Sequence, residues 1–198
     1  MIGIHTNFPG AVRPDVSKAV QSGGPAPSDL SDEERRGAYE KLKAFWTTDL
    51  AYALEYATRP QTLYGIADSP VGLAAWMLDH DVVSLALIAR VFDGQTEGLT
   101  RDDILDNITF YWLTNTGVSS GRLYWDNKLP FFDAKGVSIP VAVSVFPDEI
   151  FTPPRSWAEE AYPKLIHYNK LDKGGHFAAW EQPQLFSEEV RAGFRSLR

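Results

Sequence analysis

The residues best placed to do chemistry surround His176, which follows two glycines in the stretch Gly174–Glu181, GGHFAAWE. The stretch comes after a predicted strand and before a predicted helix, so the histidine should lie on a loop at the carboxyl end of a parallel sheet. Ligands bind at that end in open α/β folds. The glycines let the backbone turn sharply beside the imidazole. A lone histidine more often has a structural role, but this loop context favours a general base.

A histidine base needs an acid that fixes its tautomer and stabilises the imidazolium ion. Asp148 and Glu149 both follow the predicted strand 137–146, so both should lie at the same end of the sheet as His176. Adjacent parallel strands would bring the two loops together. Topology alone does not separate the two acids, and an alternative is that both are solvated loop residues.

No residue is recognisable as the nucleophile of a hydrolase. A serine nucleophile would sit in a G-x-S-x-G turn, which the sequence lacks, and there is no cysteine. An aspartate nucleophile should likewise lie on a tight turn between a strand and a helix. Asp68 instead belongs to a helix cap, and Asp133 precedes its strand. Asp102 and Asp103 start a helix, so none of the four fits.

The remaining histidines predict neither a metal site nor a second catalytic site. His167 lies within a predicted strand, while His5 and His80 lack convincing partners. No metal-ligand spacing such as H-E-x-x-H occurs. We therefore expect no metal and no cofactor.

Composition narrows the class of protein. The 198 residues carry a net charge of −7 and no basic cluster able to neutralise several phosphates, which argues against a nucleic-acid partner. The absence of cysteine excludes disulfides and fits a reducing compartment. The N-terminus does not look like a signal peptide, and no apolar stretch is long enough to cross a bilayer. We expect a cytoplasmic protein.

The elements that position these residues change character along the chain. A short strand is predicted over Ile2–Asn7 and an irregular, Pro/Gly/Ser-rich linker over Pro9–Ser28. From 30 to 127 the pattern is almost wholly helical. Three helix starts carry capping signals, at Ser31, Ser69 and Thr100.

After Lys135 the pattern is strand, helix, strand, loop and helix. The predicted bounds of these elements are 137–146, 157–162, 165–169 and 187–196. This order is typical of a parallel sheet covered by helices. A sheet of three strands would leave an apolar edge unpaired. We therefore expect either self-association through that edge or, as the favoured interpretation, a part of a larger fold.

The sequence resembles the microsomal-type epoxide hydrolases and their bacterial relatives. Four motifs carry the resemblance, in order and nearly from end to end: Thr58–Thr62 (TRPQT), Asp68–Trp76 (DSPVGLAAW), Phe146–Glu149 (FPDE) and Gly174–Ala179 (GGHFAA). The resemblance implies an α/β-hydrolase fold with a helical cap inserted between strands six and seven.

On that fold the chain would be the C-terminal part, with three parallel strands, their helices and the cap. Residues 1–11 would be strand six and its exit, 12–130 the cap, and 131–198 the last strands with the acid and histidine loops. The N-terminal strands, the nucleophile elbow and the oxyanion loop of the family have no counterpart in this sequence.

The resemblance also assigns roles to four residues. His176 maps onto the general base, and Glu149 rather than Asp148 maps onto the charge-relay acid. Tyr52 and Tyr124 map onto two cap tyrosines that hydrogen-bond the epoxide oxygen. Without the family, either tyrosine would be taken as a core aromatic residue.

The implied function is hydrolysis of a small apolar epoxide by water, a detoxification reaction that gives a vicinal diol through an aspartyl ester. Because the attacking aspartate has no counterpart here, we expect the chain alone to be inactive and to depend on a missing N-terminal segment. Two alternatives stand beside this one. The chain could be an inactive remnant that acts as a binding module, or belong to another α/β-hydrolase such as a haloalkane dehalogenase.

Overall fold

One parallel sheet organises both ends of the chain. In the computed structural model, which describes residues 1–95, 98–127 and 130–198, the described strands are β1 (Ile4–Thr6), β2 (Val141–Val145) and β3 (Leu165–Lys170). Their order is β1-β2-β3, and both pairings are parallel. All five residues of β2 are buried, because a central parallel strand is covered on both faces. β2 is shorter than predicted and begins after Pro140, which has no amide hydrogen to donate to a ladder.

Helices account for most of the remaining regular structure in the described part of the chain. They are α1 (Pro14–Ser22), α2 (Asp32–Glu34), α3 (Lys41–Ala44), α4 (Ala51–Thr58), α5 (Gly65–Asp68), α6 (Pro70–Leu78), α7 (Val82–Phe92), α8 (Arg101–Thr114), α9 (Gly117–Ser120), α10 (Arg122–Asp126), α11 (Arg155–Ala161), α12 (Ala178–Glu181) and α13 (Pro183–Gly193). π-helical turns at Arg35–Glu40 and Phe45–Asp49, and 3-10 turns at Pro60–Tyr64 and Arg195–Leu197, complete the set. No helix of the described residues is long and apolar enough to cross a membrane.

The chain divides into two compact units. The sheet unit comprises Met1–Trp46 and Pro130–Arg198, and the helical unit comprises Thr47–Leu129. The helical unit is shorter than the predicted cap, 12–130, because residues 12–46 group with the sheet. The division into strand six, cap and C-terminal core that the resemblance implies stays a prediction.

The prediction of an irregular linker over Pro9–Ser28 was wrong, because this segment contains α1. Pro14 begins the helix, where its missing amide hydrogen costs nothing, and Gly23 ends it in the left-handed conformation, φ 66°. Val16 and Val20, one turn apart, are both buried. The proline and glycine mark the ends of a short helix whose apolar face packs into the sheet unit.

The predicted helix starts are confirmed. Ser31 and Thr100 each form a capping box, in which the side-chain oxygen accepts the N3 amide while the N3 carboxylate accepts the cap amide. Ser69 Oγ accepts the amide of Gly72, and Pro70 takes the first helical position. The C-terminal helix was predicted to begin at 187, but α13 begins at Pro183. A proline fits the first helical position, where no amide hydrogen is needed.

The two faces of the sheet differ in chemistry. On one face the alternate β2 residues Val141, Val143 and Val145 pack against Ala161 and Tyr162 in an apolar cluster. Burial of such side chains contributes roughly 1.5–3 kcal/mol each. This cluster holds the ends of the strands in place, and with them the loops that follow.

A buried polar network occupies the other face, beneath α13. His5 Nε2 lies 2.9 Å from Ser144 Oγ, which donates to Glu189 Oε2 over 2.7 Å. His167 Nε2 lies 2.9 Å from the same oxygen, and Asn169 donates to Glu189 Oε1 over 2.8 Å. The expectation that His5 lacks a partner was therefore wrong, since the partners come from distant parts of the sequence.

This network predicts that acid destabilises the protein. Burial lowers the pKa of His5 from 6.5, so the folded state resists a proton that the unfolded chain accepts. Stability is therefore lost as the pH falls below about 6.5. Burial alone would raise the pKa of Glu189, but hydrogen bonds from His167, Ser144 and Asn169 outweigh it and lower the pKa from 4.5. The stabilisation by Glu189 is therefore present above pH 4.5, and it is lost as the pH falls through the lowered pKa of the folded state.

Urea unfolding of the wild type and of His5→Gln at about pH 7.5 and about pH 5.5 checks the contribution of the histidine. Between these two values the wild type should lose more free energy of unfolding than the variant, in which residue 5 does not titrate. Equal losses in the two proteins would contradict the prediction.

Candidate active site

His176 and Glu149 form a close, largely buried pair at the carboxyl end of the sheet. His176 Nδ1 lies 2.6 Å from Glu149 Oε1, and their side chains are 20% and 0% exposed. A carboxylate can only accept, so the proton of this contact belongs to Nδ1. Nε2 is then the basic nitrogen of the neutral ring, which is the arrangement that a general base requires.

Backbone contacts fix which acid meets the histidine. The amide of Asp148 donates to the carbonyl of Gly174 over 3.1 Å, and Asp148 and Gly175 form a parallel bridge that extends the pairing of β2 with β3. Asp148 is exposed, whereas the next residue, Glu149, is only 2% exposed. The structure thus brings Glu149 rather than Asp148 to His176. The charge-relay role of Glu149 stays a prediction.

Two residues that sequence reasoning missed hold the pair in place. Asn7 donates to Glu149 Oε2 over 2.9 Å and to the carbonyl of His176 over 3.0 Å. Lys41 Nζ donates to the carbonyls of Pro147, over 2.6 Å, and of Glu149, over 3.3 Å. Burial lowers the pKa of Lys41, although nearby carboxylates oppose this. Asn7 follows β1 and could have been found as another strand-end residue, but the sequence contains no such signal for Lys41.

Tyr52 and Tyr124 lie together within the helical unit. Tyr52 is on α4 and Tyr124 on α10, and their ring centroids are 5.8 Å apart at an interplanar angle of 90°. Burial raises the pKa of both, and Tyr124, Asp81 and Asp49 raise that of Tyr52 further. Both hydroxyls therefore remain protonated donors at neutral pH, and the role that the resemblance gives them stays a prediction.

The packing around Tyr124 depends on a close approach by a glycine. The ring of Tyr56 stacks on that of Tyr124 with centroids 5.7 Å apart and an interplanar angle of 8°. Tyr56 also donates to the carbonyl of Gly117 over 2.7 Å. A Cβ atom at Gly121 would lie 1.7 Å from the Tyr56 ring, so only a glycine at position 121 leaves room for that ring. The second tyrosine is therefore held by a specific fit and not by general burial.

His80 supports the other tyrosine, which corrects the expectation that this histidine lacks a partner. His80 Nδ1 lies 2.7 Å from Asp81 Oδ2, and its ring packs against Tyr52 with centroids 4.9 Å apart. Burial alone would raise the pKa of Asp81, but hydrogen bonds from His80 and Ser84 lower it to about 2. Asp81 also caps α7 through the amides of Val83 and Ser84. The aspartate thus fixes both a helix end and the ring beside Tyr52.

A cavity of about 420 Å³ opens beside these side chains within the helical unit. Tyr52, Trp76, His80 and Leu85 contribute to its wall. This volume lies in the range of small-molecule sites. Among the described residues, no group of three or more His, Asp or Glu side chains could hold a metal ion.

No family model matches the chain, but its sequence is similar to those of named proteins. The chain is 44% identical over its whole length to a protein of Stigmatella aurantiaca provisionally named an epoxide hydrolase, and covers 42% of it. It is 35% identical to Epoxide hydrolase 1 of Sus scrofa over 77% of this chain and 36% of the relative.

Solved structures show the same similarity. The juvenile hormone epoxide hydrolase of the silkworm Bombyx mori matches all of this chain with a TM-score of 0.74 and 28% identity, over 50% of its own chain. The Aspergillus niger epoxide hydrolase matches all of it with a TM-score of 0.71 and 26% identity, over 46%. The chain therefore spans about half the length, or less, of these relatives.

Three parallel strands whose acid and histidine loops meet at one sheet end form the C-terminal part of an α/β-hydrolase fold, as the sequence predicted. Because these relatives match this chain from end to end, the chain belongs to the epoxide hydrolase family.

Proposed function

We propose that this chain supplies the water-activating pair and the oxygen-binding tyrosines of an epoxide hydrolase. The 2.6 Å contact between His176 Nδ1 and the fully buried carboxylate of Glu149 carries the proposal. The carboxylate stabilises the imidazolium that forms when Nε2 takes a proton from water. The other half of the reaction is the opening of the epoxide ring.

The tyrosine pair fits the ring-opening step. An epoxide oxygen has two lone pairs, and Tyr52 and Tyr124, whose ring centroids are 5.8 Å apart, supply two hydroxyl donors for them. When a carboxylate attacks an epoxide carbon, the carbon–oxygen bond breaks and negative charge develops on that oxygen. One tyrosine then gives its proton to the oxygen while the other donates a hydrogen bond, and the product is a hydroxyalkyl ester.

The second step returns the enzyme to its starting state. His176 Nε2 takes a proton from water, and the resulting hydroxide attacks the ester carbonyl. The ester bond breaks, which releases the diol and regenerates the attacking carboxylate. The proton on the imidazolium replaces the one that the tyrosine gave up, so the net reaction is epoxide plus water to diol.

We infer that none of the aspartates that the sequence analysis considered is the attacking carboxylate. Asp133 accepts a hydrogen bond from Ser17 Oγ over 2.5 Å and lies before β2. Asp103 forms the capping box of α8, and Asp68 ends α5. We therefore infer that the nucleophile is a carboxylate from outside these 198 residues.

We further infer that the substrate is a small apolar epoxide. The cavity beside Tyr52 has aromatic and aliphatic walls in Trp76 and Leu85. The nearby carboxylates of Asp49 and Asp79 disfavour an anionic substrate there.

Binding of styrene oxide to the purified chain tests the tyrosine clamp, by which we mean the two hydroxyls of Tyr52 and Tyr124 that would hydrogen-bond the epoxide oxygen. Tyr52→Phe and Tyr124→Phe should each weaken binding by about three- to tenfold, because each removes one hydrogen bond of about 1 kcal/mol to the epoxide oxygen. Tyr64→Phe, which alters a tyrosine that is 66% exposed in the same unit, is the matched control and should bind like the wild type. Equal affinities of all four proteins, from titrations followed by NMR, would exclude the clamp.

A further inference from the structure

The loop that presents His176 is held by one buried carboxylate, that of Glu181. Glu181 Oε2 accepts the amide of Gly175 over 2.8 Å, and Oε1 accepts the amide of Phe177 over 2.9 Å. A single side chain thus binds the backbone on both sides of the histidine. We propose that Glu181 is a positioning residue for His176, an inference that rests on the proposed role of the histidine as the base.

The chemistry of the contact requires a carboxylate. Both partners of Glu181 are N–H donors, and only a group with two acceptor oxygens can satisfy both. A glutamine would satisfy one amide and turn its own N–H₂ group toward the other. Glu181 is 7% exposed, so water does not readily replace a lost acceptor.

The carboxylate is kept in an unfavourable electrostatic position, which argues that the contact is specific. Burial raises the pKa of Glu181, and the charges of Glu149 and Asp148 raise it further. The amides of Gly175 and Phe177 are the donors that oppose this shift. A general packing role would be filled at less cost by an apolar side chain.

The surrounding backbone leaves little freedom once Glu181 is in place. A Cβ atom at Gly175 would lie 3.2 Å from both the Asp148 carbonyl and Glu181 Oε2, and Gly174 has a φ of 104°. The carbonyl of His176 accepts the side-chain amide of Asn7. The histidine backbone is therefore fixed at the preceding amide, at its own carbonyl and at the following amide, which sets the direction of the imidazole toward Glu149.

Amide hydrogen exchange and the side-chain NMR signals of His176 in the full chain test this inference. In Glu181→Ala, the amides of Gly175 and Phe177 should exchange about ten- to a hundredfold faster, relative to the amide of Val143 in β2. The His176 Nδ1 proton signal should also broaden or disappear. Glu181→Gln should release only one of the two amides, which keeps the test informative if the alanine variant does not fold.

Glu189→Gln is the matched control, because it alters another buried carboxylate of the sheet unit that does not contact the His176 loop. It should lower stability and leave the two amides and the Nδ1 signal unchanged. The proposal is overturned if the Glu181 variants behave like Glu189→Gln. These readouts need no epoxide turnover, so they remain decisive even if the proposed function fails.

Discussion

Replacing Glu149 with alanine is expected to lower the free energy of unfolding by about 3–5 kcal/mol. The carboxylate accepts three hydrogen bonds, from His176 Nδ1, Asn7 Nδ2 and the amide of Ile150. Its removal leaves these donors buried without their acceptor. Because small domains are stable by only about 5–15 kcal/mol, this is a large part of the total.

The neighbouring acid gives a matched control for this prediction. Asp148→Ala removes an exposed carboxylate one residue earlier in the same loop and should change stability by less than about 0.5 kcal/mol. Chemical unfolding of the wild type and both variants measures the difference in the free energy of unfolding, provided that the three proteins have the same m-value. Similar small losses in the two variants would mean that the His176–Glu149 contact is not a stabilising pair.

The same substitution should also change the state of the histidine. Without Glu149, His176 Nδ1 loses the carboxylate that accepts its proton, so the neutral ring should populate both tautomers. Glu149→Gln should keep part of the preference, since its amide oxygen can still accept. The ¹⁵N chemical shifts of the ring report the tautomer directly, and an unchanged Nδ1 signal in Glu149→Ala would contradict the pairing.

Sequence reasoning located the histidine and its acid because one geometric rule places both. Loops that follow adjacent parallel strands meet at the same sheet end, and His176 and Glu149 each follow such a strand. The choice between Asp148 and Glu149 needed either the family resemblance or the structure. It depends on which side chain turns inward at the bridge between Asp148 and Gly175, and loop composition does not encode that direction.

The supporting contacts could not be predicted, because they join residues that are far apart in sequence. Asn7 and Glu149 are separated by 142 positions, and Lys41 and Pro147 by 106. The partners of His5 were hidden for the same reason. Glu181 was visible in the histidine motif, but its role depends on a short turn, α12, that folds it back onto the amides of that motif.

The helix α1 was missed for a different reason. Its proline and glycine were interpreted as features of a linker, although at the two ends of a short helix they act as start and stop signals. The buried pair Val16 and Val20 was the helical signal that this interpretation overlooked. Strong capping signals at Ser69 and Thr100, by contrast, predicted helix starts correctly.

The other large expected effect is an absence of activity in the 198-residue chain by itself. The proposal gives this chain the base, its acid and the oxygen-binding tyrosines, but no carboxylate that can attack an epoxide carbon. Without the ester, His176 has no intermediate to hydrolyse, and the full acceleration of the alkylation step is lost. The two tyrosine hydrogen bonds, at about 1 kcal/mol each, could raise the rate by no more than about thirtyfold, since each 1.36 kcal/mol is worth a factor of about ten in rate.

Diol formation from styrene oxide by the purified chain, measured beside His176→Ala, tests this account most directly. We expect both proteins to form the diol at the same rate, no more than about thirtyfold above that of the uncatalysed reaction, while the wild type still binds the epoxide. Diol formation by the wild type that His176→Ala abolishes would contradict the account, because it would show that these 198 residues are sufficient for turnover.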